Sequence, residues 1–263
     1  MFPAPLLSLL AGLPLLLVVA PLGLGYGQRA SSDSAALGSK TWVGHYREVE
    51  EYLRTAECVA LEDIGPKGPQ GLPALRRCVL RPGGPVARMA WKSPPPGGYR
   101  GFRESYKTEI AAYELDKLLR MDMVPPSVER ELQGHTGSAV QWVEDIVTLK
   151  AGTSGAADPA RWEKELARMA MFDALIGNRD RNLANTLRDP LWNVVLIDHS
   201  RAFGTDAVPL PDLSQIDKEL WARIEGLTRA QLDAALGAWL DKEQISAILD
   251  RRERMRAAIG RRP

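Results

Sequence analysis

The chain has 263 residues, 45% of them hydrophobic and 25% charged, a balance typical of a folded protein and not of a disordered one. Its 34 basic and 33 acidic side chains leave a net charge of +1, so no overall attraction to nucleic acid is expected. Two cysteines, Cys58 and Cys78, and three scattered histidines exclude a disulfide-dense scaffold, a four-cysteine zinc site and a histidine metal centre.

Residues 1–27 carry no charged side chain, and 6–24 is a run rich in Leu, Val, Ala and Gly, broken by Pro14 and Pro21. Segment 1–28 therefore reads as a secretory signal peptide or a membrane anchor, followed by a polar linker over 29–40. The protein is expected outside the cytoplasm (secreted, periplasmic or in the secretory-pathway lumen) or tethered to a membrane by this segment. Next, Tyr46, Val49 and Leu53 fall at helical spacing within 41–54. Three strands follow over 58–64, 75–81 and 86–92. A Gly/Pro-rich loop joins the first two, and Pro82-Gly83-Gly84-Pro85 turns between the second and third, which predicts an antiparallel meander. Cys58 and Cys78 lie on adjacent strands of it. In an oxidising compartment they could bridge that hairpin; the alternative is two small buried residues.

Residues 94–98 read as a flexible loop. A helix is expected over 104–120, with Ala111, Leu115, Leu118 and Leu119 on one stripe, ending before Pro125-Pro126. Residues 138–145 return to strand, and the Gly/Ser/Ala-rich stretch 151–157 leads into a mainly helical half. There Asp158-Pro159 supplies a cap and a first-turn proline. Trp162, Leu166, Met169 and Ile176 form an apolar stripe, and Gly177 ends the helix. Residues 193–198 form a short apolar strand. Thr228-x-x-Gln231 and Asp241-x-x-Gln244 resemble capping boxes opening two final helices. The basic stretch from Arg251 onward reads as a solvated helix face. The order predicts an α+β fold of two lobes: a small antiparallel sheet with a helix over 41–150, and a helical lobe over 151–263.

The chemistry concentrates in two neighbouring elements. Residues 194–197 are apolar and run directly into Asp198, which delivers a carboxylate at the end of a buried strand. Asp180 and Asn185 sit on the loop after the preceding helix. Oxygen ligands of this kind suit a hard cation such as Mg²⁺ that shares its shell with phosphate. One carboxylate is left to orient or deprotonate a hydroxyl. Asp173 is the oddity of that helix. At about 100° per residue it falls inside the apolar stripe, about 20° from Trp162. A buried carboxylate needs donors, and Arg181 or the backbone amides of residues 179–183 are nearest in the chain.

Asp180-Arg181-x-x-x-Asn185 followed by Ile197-Asp198 resembles the Asp-Arg-His-x-x-Asn and Asp-Phe-Gly-like elements of phosphatidylinositol 3- and 4-kinases. Gly177-Asn178-x-Asp180-Arg181 is closer still to the HipA-like and secretory-pathway atypical kinases, and the similarity spans roughly residues 57–203. The resemblance implies a two-lobed kinase-like fold and ATP-dependent phosphoryl transfer to a hydroxyl. Asp180 would be the catalytic base, and Asn185 and Asp198 would hold Mg²⁺ or Mn²⁺. Asn182 stands where the lipid kinases have histidine, and asparagine cannot carry a proton as histidine can.

The N-terminal half carries matching features. Alternation puts Ala90 and Lys92 on one face of the third strand, with Ala90 leaving room for an adenine ring and Lys92 reaching phosphate. Glu109, on the following helix, can pair with Lys92, the ion pair such sites need. Gly65, Gly68 and Gly71 fall where a phosphate-covering loop would be. Trp142 and Val143 fall where the lobes join, so backbone groups of residues 141–144 could meet adenine. The acceptor, whether protein, lipid, sugar or small molecule, is not legible. The alternative function is an exported pseudokinase that binds nucleotide or a partner protein without turnover.

Overall fold

The computed structural model describes residues 37–65, 75–93, 97–99, 102–149, 155–207 and 209–260. The expected leader over 1–28, most of the linker, and Gly68 and Gly71 lie outside them. Among the described residues no helix is long and apolar enough to cross a membrane.

Helix α1 (Tyr46–Thr55) is followed by strands β1 (Cys58–Asp63), β2 (Arg76–Leu80) and β3 (Arg88–Lys92). A short hairpin, β4 (Gly97–Tyr99) and β5 (Phe102–Glu104), leads to α2 (Tyr106–Leu119), then β6 (Ser127–Leu132) and β7 (His135–Gln141). The sheet runs β1-β2-β3-β7-β6, antiparallel at every pairing. The meander expected from the sequence is present. Two readings change: residues 97–98 belong to a hairpin strand, and β6 precedes the strand expected at 138–145, which starts earlier and ends at Gln141. The first helix starts five residues later than expected, at Tyr46.

Met89 on β3 packs with Val49 and Leu53 of α1 and with Cys78, Leu80 and Val128 in one core cluster. Pleating then turns Ala90 and Lys92 to the opposite face. Arg130 on β6 donates to Leu53 O (2.8 Å) and Ala56 O (2.6 Å), satisfying carbonyls at the end of α1 that the helix leaves open. Cys58 and Cys78 form a disulfide across β1 and β2, with Cα atoms 5.7 Å apart and a sequence separation of 20. Closing a loop of that size contributes about 3 kcal/mol by restricting the unfolded chain.

The second lobe contains α3 (Pro159–Ile176) and three helices near the C-terminus, α4 (Lys218–Glu225), α5 (Arg229–Leu236) and α6 (Lys242–Gly260). A three-stranded sheet joins them, formed by β8 (Val147–Thr148), β9 (Thr186–Arg188) and β10 (Val194–Leu196) in the order β10-β9-β8. Asp158 caps α3 by accepting from Arg161 N at 3.0 Å, and Gly177 ends it at φ 64°, a conformation that favours glycine. Both capping boxes form, Thr228 with Gln231 and Asp241 with Gln244. The sequence did not announce α4, whose N-cap Asp217 accepts from Leu220 N at 2.9 Å.

Arg251 corrects the reading of a solvated basic face. It is 3% exposed, and its guanidinium donates to Leu175 O (2.7 Å) and Gly204 O (2.8 Å). It thereby fastens α6 to the end of α3. Burial pushes its pKa down to about 10, which still leaves it charged at neutral pH.

Helix α2 is buried well beyond a single leucine stripe, because it lies between the sheet and α4 and α5. Asp116 on it is 1% exposed, and its Oδ1 accepts from Met123 N (3.0 Å) and Val124 N (3.2 Å). Burial, reinforced by Asp122 and opposed by those amides and Lys40, raises its pKa from 3.8 to about 7. The folded state thus keeps a proton that the unfolded chain releases. Stability is highest below pH 3.8 as far as this group is concerned, and falls as pH rises toward 7. The slope is about 1.4 kcal/mol per pH unit. Asp116→Asn is expected to flatten that slope in urea unfolding between about pH 5 and 7. Equal slopes in the two proteins would remove Asp116 as its source.

Candidate active site

Lys92 closes β3 and reaches across the cleft. Its Nζ lies 2.6 Å from Glu109 Oε1 on α2 and 2.8 Å from Asp198 Oδ1, just past β10. The lysine side chain is 13% exposed and Glu109 3%. Burial opposes the charge on Lys92, but Glu109 and Asp198 outweigh it and hold its pKa above the ordinary value. Burial likewise works against ionised Glu109, and Lys92 with His199 keeps its carboxyl below the usual range. At neutral pH both are charged.

The segment after β10 is stitched to α2. His199 N donates to Glu109 Oε2 at 3.0 Å, Ser105 N to Ser200 O at 3.0 Å, and Arg201 Nε to Glu104 Oε1 at 2.7 Å. Asp198 adopts φ 64°, a strained conformation for a non-glycine residue, which these bonds maintain.

The loop between α3 and β9 is organised from below by Asp173, which is 7% exposed. Its carboxylate accepts from Arg181 Nε (2.8 Å) and Nη2 (3.0 Å), and from Asn178 Nδ2 (2.9 Å). The arginine expected from the sequence is a partner. The second donor is the Asn178 side chain and not the backbone amides of 179–183. Arg181 continues to Asn185 O (2.6 Å) and Ile197 O (3.0 Å), so one guanidinium ties α3 to both chemistry-bearing elements. It also lies 3.0 Å from His199 Nε2. Arginine can only donate, so Nε2 is the bare nitrogen and Nδ1 carries the hydrogen. Burial lowers the His199 pKa, consistent with a neutral ring. None of this network apart from Asp173 and Arg181 was legible in the sequence.

Asp180 and Asn185 meet on this loop. Asn185 Nδ2 donates to Asp180 O at 3.1 Å, which leaves the amide oxygen as its acceptor. Asn185 O receives Ile197 N at 3.3 Å, so Asn185 and Asp198 emerge side by side from the β9–β10 ladder. Among the described residues, the bonds to the Asp198 side chain, from Lys92 and Ser200, fall on Oδ1. Oδ2 and the Asn185 amide oxygen thus remain for a ligand. Among the described residues no group of three or more His, Cys, Asp and Glu side chains is arranged to hold a metal ion by itself. A site with so few protein ligands fits Mg²⁺ or Mn²⁺ held jointly with phosphate better than a cation caged by protein alone.

Ala90 is half-buried on the Lys92 face, paired with Val140. Gly65 N bonds to Leu75 O at 3.2 Å and closes the base of the β1–β2 hairpin. Two backbone amides at the lobe junction are used within the fold. Gln141 N donates to Pro126 O (2.8 Å) and Trp142 N to Arg88 O (3.0 Å), so both amides are engaged. Val143 is 3% exposed and packs in the sheet-side core. The Trp142 ring lies under the guanidinium groups of Arg77 and Arg88, at 5.4 and 5.5 Å.

No protein-family model matches the chain, and no characterised protein matches it by sequence. Solved structures do match it by fold. The crystal structure of the Golgi casein kinase with Mn and ADP bound is 14% identical, with a TM-score of 0.61 over 81% of this chain and 75% of that one. A second structure of the Golgi casein kinase gives 0.62 at 14% identity, over 81% and 74%. A hydra Fam20 structure with sugar gives 0.57 at 18% identity, over 83% and 88%. The chain has the α+β, two-lobed atypical-kinase fold of these structures.

Proposed function

We propose that this protein is an atypical kinase that transfers a phosphoryl group from ATP to a hydroxyl acceptor, in a compartment outside the cytoplasm. The observation that carries the reading is Lys92 held between Glu109 at 2.6 Å and Asp198 at 2.8 Å. That arrangement fixes an ammonium where phosphate oxygens would lie and keeps it charged. Ala90 and Val140 offer a small apolar surface for the base. Asp180 orients the acceptor hydroxyl and takes its proton. Asp173 and Arg181 hold Asp180 and Asn185 in register, so catalysis comes from positioning and charge neutralisation. The Asp198 carboxylate and the Asn185 amide would hold Mg²⁺ or Mn²⁺. Such a cation, when bound, supplies positive charge against the phosphate oxygens. The Mn and ADP of one fold neighbour support the choice of nucleotide and cation. Export is proposed from segment 1–28, and the Cys58–Cys78 bridge supports it.

The test is a thermal-shift screen of nucleotides with Mg²⁺ and Mn²⁺. A nucleotide at about 100 times its Kd stabilises the folded state by about 2.7 kcal/mol. A shift that needs both nucleotide and cation is expected. The second reading, a pseudokinase, rests on Asn182, whose side chain is turned into its own loop. Binding without turnover of ATP would favour it.

A further inference from the structure

Two positions after Asp180 the loop carries Asn182, an uncharged side chain. Its amide group donates to Asp180 O (3.1 Å), and its Oδ1 accepts from the Ala184 and Asn185 amides (2.8 and 3.2 Å). Asn182 is thus spent on shaping the loop. A cation reaches Asp180 from the other element. Arg201, three residues past Asp198, donates from Nη1 to Asp180 Oδ2 at 3.1 Å. Its Nε and Nη2 hold Glu104 Oε1 at 2.7 and 2.6 Å. The two side chains at this contact are 27% and 34% exposed, so both keep a solvent-facing side. The backbone bond from Ser105 N to Ser200 O holds the segment on which Arg201 stands.

The charge balance of the cleft gives this contact its meaning. Glu104, Glu109, Asp180 and Asp198 are ringed around it, and Lys92 is committed to Glu109 and Asp198. A phosphoryl group arriving beside Asp180 adds further negative charge at the one carboxylate that must face it. Transfer there requires a fixed cation.

Resting on the phosphotransferase reading, we propose that Arg201 is a catalytic residue of this site. Its guanidinium holds the Asp180 carboxylate toward the acceptor and contacts the oxygens of the phosphoryl group in transit. In that step the acceptor oxygen bonds to the γ-phosphorus of ATP. The bond from phosphorus to the bridging oxygen breaks, its electron pair leaves with ADP, and the acceptor proton passes to Asp180. Arg201 remains charged throughout. Its planar fork suits a carboxylate and phosphoryl oxygens together, which the single ammonium of lysine does not.

The experiment is calorimetric titration with ADP and Mn²⁺, alone and with orthovanadate as a mimic of the transferring group. It compares the wild-type protein, Arg201→Met and Arg201→Lys. Wild type is expected to bind ADP more tightly when vanadate is present. Arg201→Met should leave ADP affinity without vanadate within about threefold and lose about 100-fold or more of the gain from vanadate. Arg201→Lys should fall between, and carries the same comparison if Arg201→Met does not fold. An unchanged vanadate gain in the variants would overturn the proposal. So would an equal loss of ADP affinity with and without vanadate, which marks a structural clamp. A wild-type protein that binds no ADP would instead sink the phosphotransferase reading on which the proposal rests.

Discussion

Asp198→Ala is expected to abolish cation-dependent nucleotide binding, whereas Asp180→Ala leaves binding intact and removes transfer. The two carboxylates stand in different surroundings. Asp198 shares Lys92 with Glu109 and supplies the carboxylate on the β10 side of the proposed cation site. Its loss removes one of few protein oxygens for the cation and half of the anionic clamp on Lys92. The expected fall in affinity exceeds about 100-fold. Asp180 bonds Arg201 and is not in contact with Lys92. Its replacement should change ADP affinity by no more than about threefold, while ATP turnover falls by about 100- to 10,000-fold, the range for loss of a general base. Radiolabelled ATP turnover and ADP titration on the same preparations separate the two effects. Variants that both bind and react like wild type would remove the site as drawn.

The second large effect is expected at Asp173. Asp173→Ala strands the Arg181 guanidinium, whose side chain is 12% exposed, with two of its bonds gone. Breaking a buried pair by removing one partner typically costs about 3–5 kcal/mol, because the remaining charge stays buried. The same arginine ties down Asn185 O and Ile197 O, so the damage should spread to the catalytic loop and to the approach to Asp198. Urea unfolding should report the loss, and amide exchange at Ala184 and Asn185 should quicken. Asp173→Asn keeps the shape, loses the charge, and should cost less. The informative control is Arg181→Met in the Asp173→Ala background, which removes the stranded charge. A double variant more stable than Asp173→Ala alone supports the account. Additive losses would mean that the pair is not coupled.

Much of this was readable from the residues, for identifiable reasons. Alternation on β3 fixed which side Ala90 and Lys92 take, because pleating leaves no other choice. Caps and stops located α3, α5 and α6, because Asp158, Gly177, Thr228 and Asp241 each satisfy a backbone group that a helix end leaves open. The buried charge of Asp173 was legible because a carboxylate in an apolar stripe must find donors nearby.

What stayed hidden is set by tertiary contacts. Strand β6 reads Ser-Val-Glu-Arg-Glu-Leu, and its charges mask the alternation that pairing with β7 imposes. The burial of α2 on several sides comes from elements far away in sequence. Arg251 sits in a basic run that looks like solvent-facing helix, and only the folded chain brings Leu175 O and Gly204 O to it. Glu104, Arg201 and His199 carried no motif signal, since their roles depend on α2 lying against the segment after β10.

The central claim is a nucleotide–cation site around Lys92, Asn185 and Asp198. Titration of the full chain with ADP, in the presence and absence of Mn²⁺, tests it most directly. The expected result is saturable binding of one ADP per chain that requires the cation, disappears on chelation and is absent from Asp198→Ala. No binding with Mn²⁺ or Mg²⁺, or binding that is indifferent to the cation and to Asp198, would contradict the account.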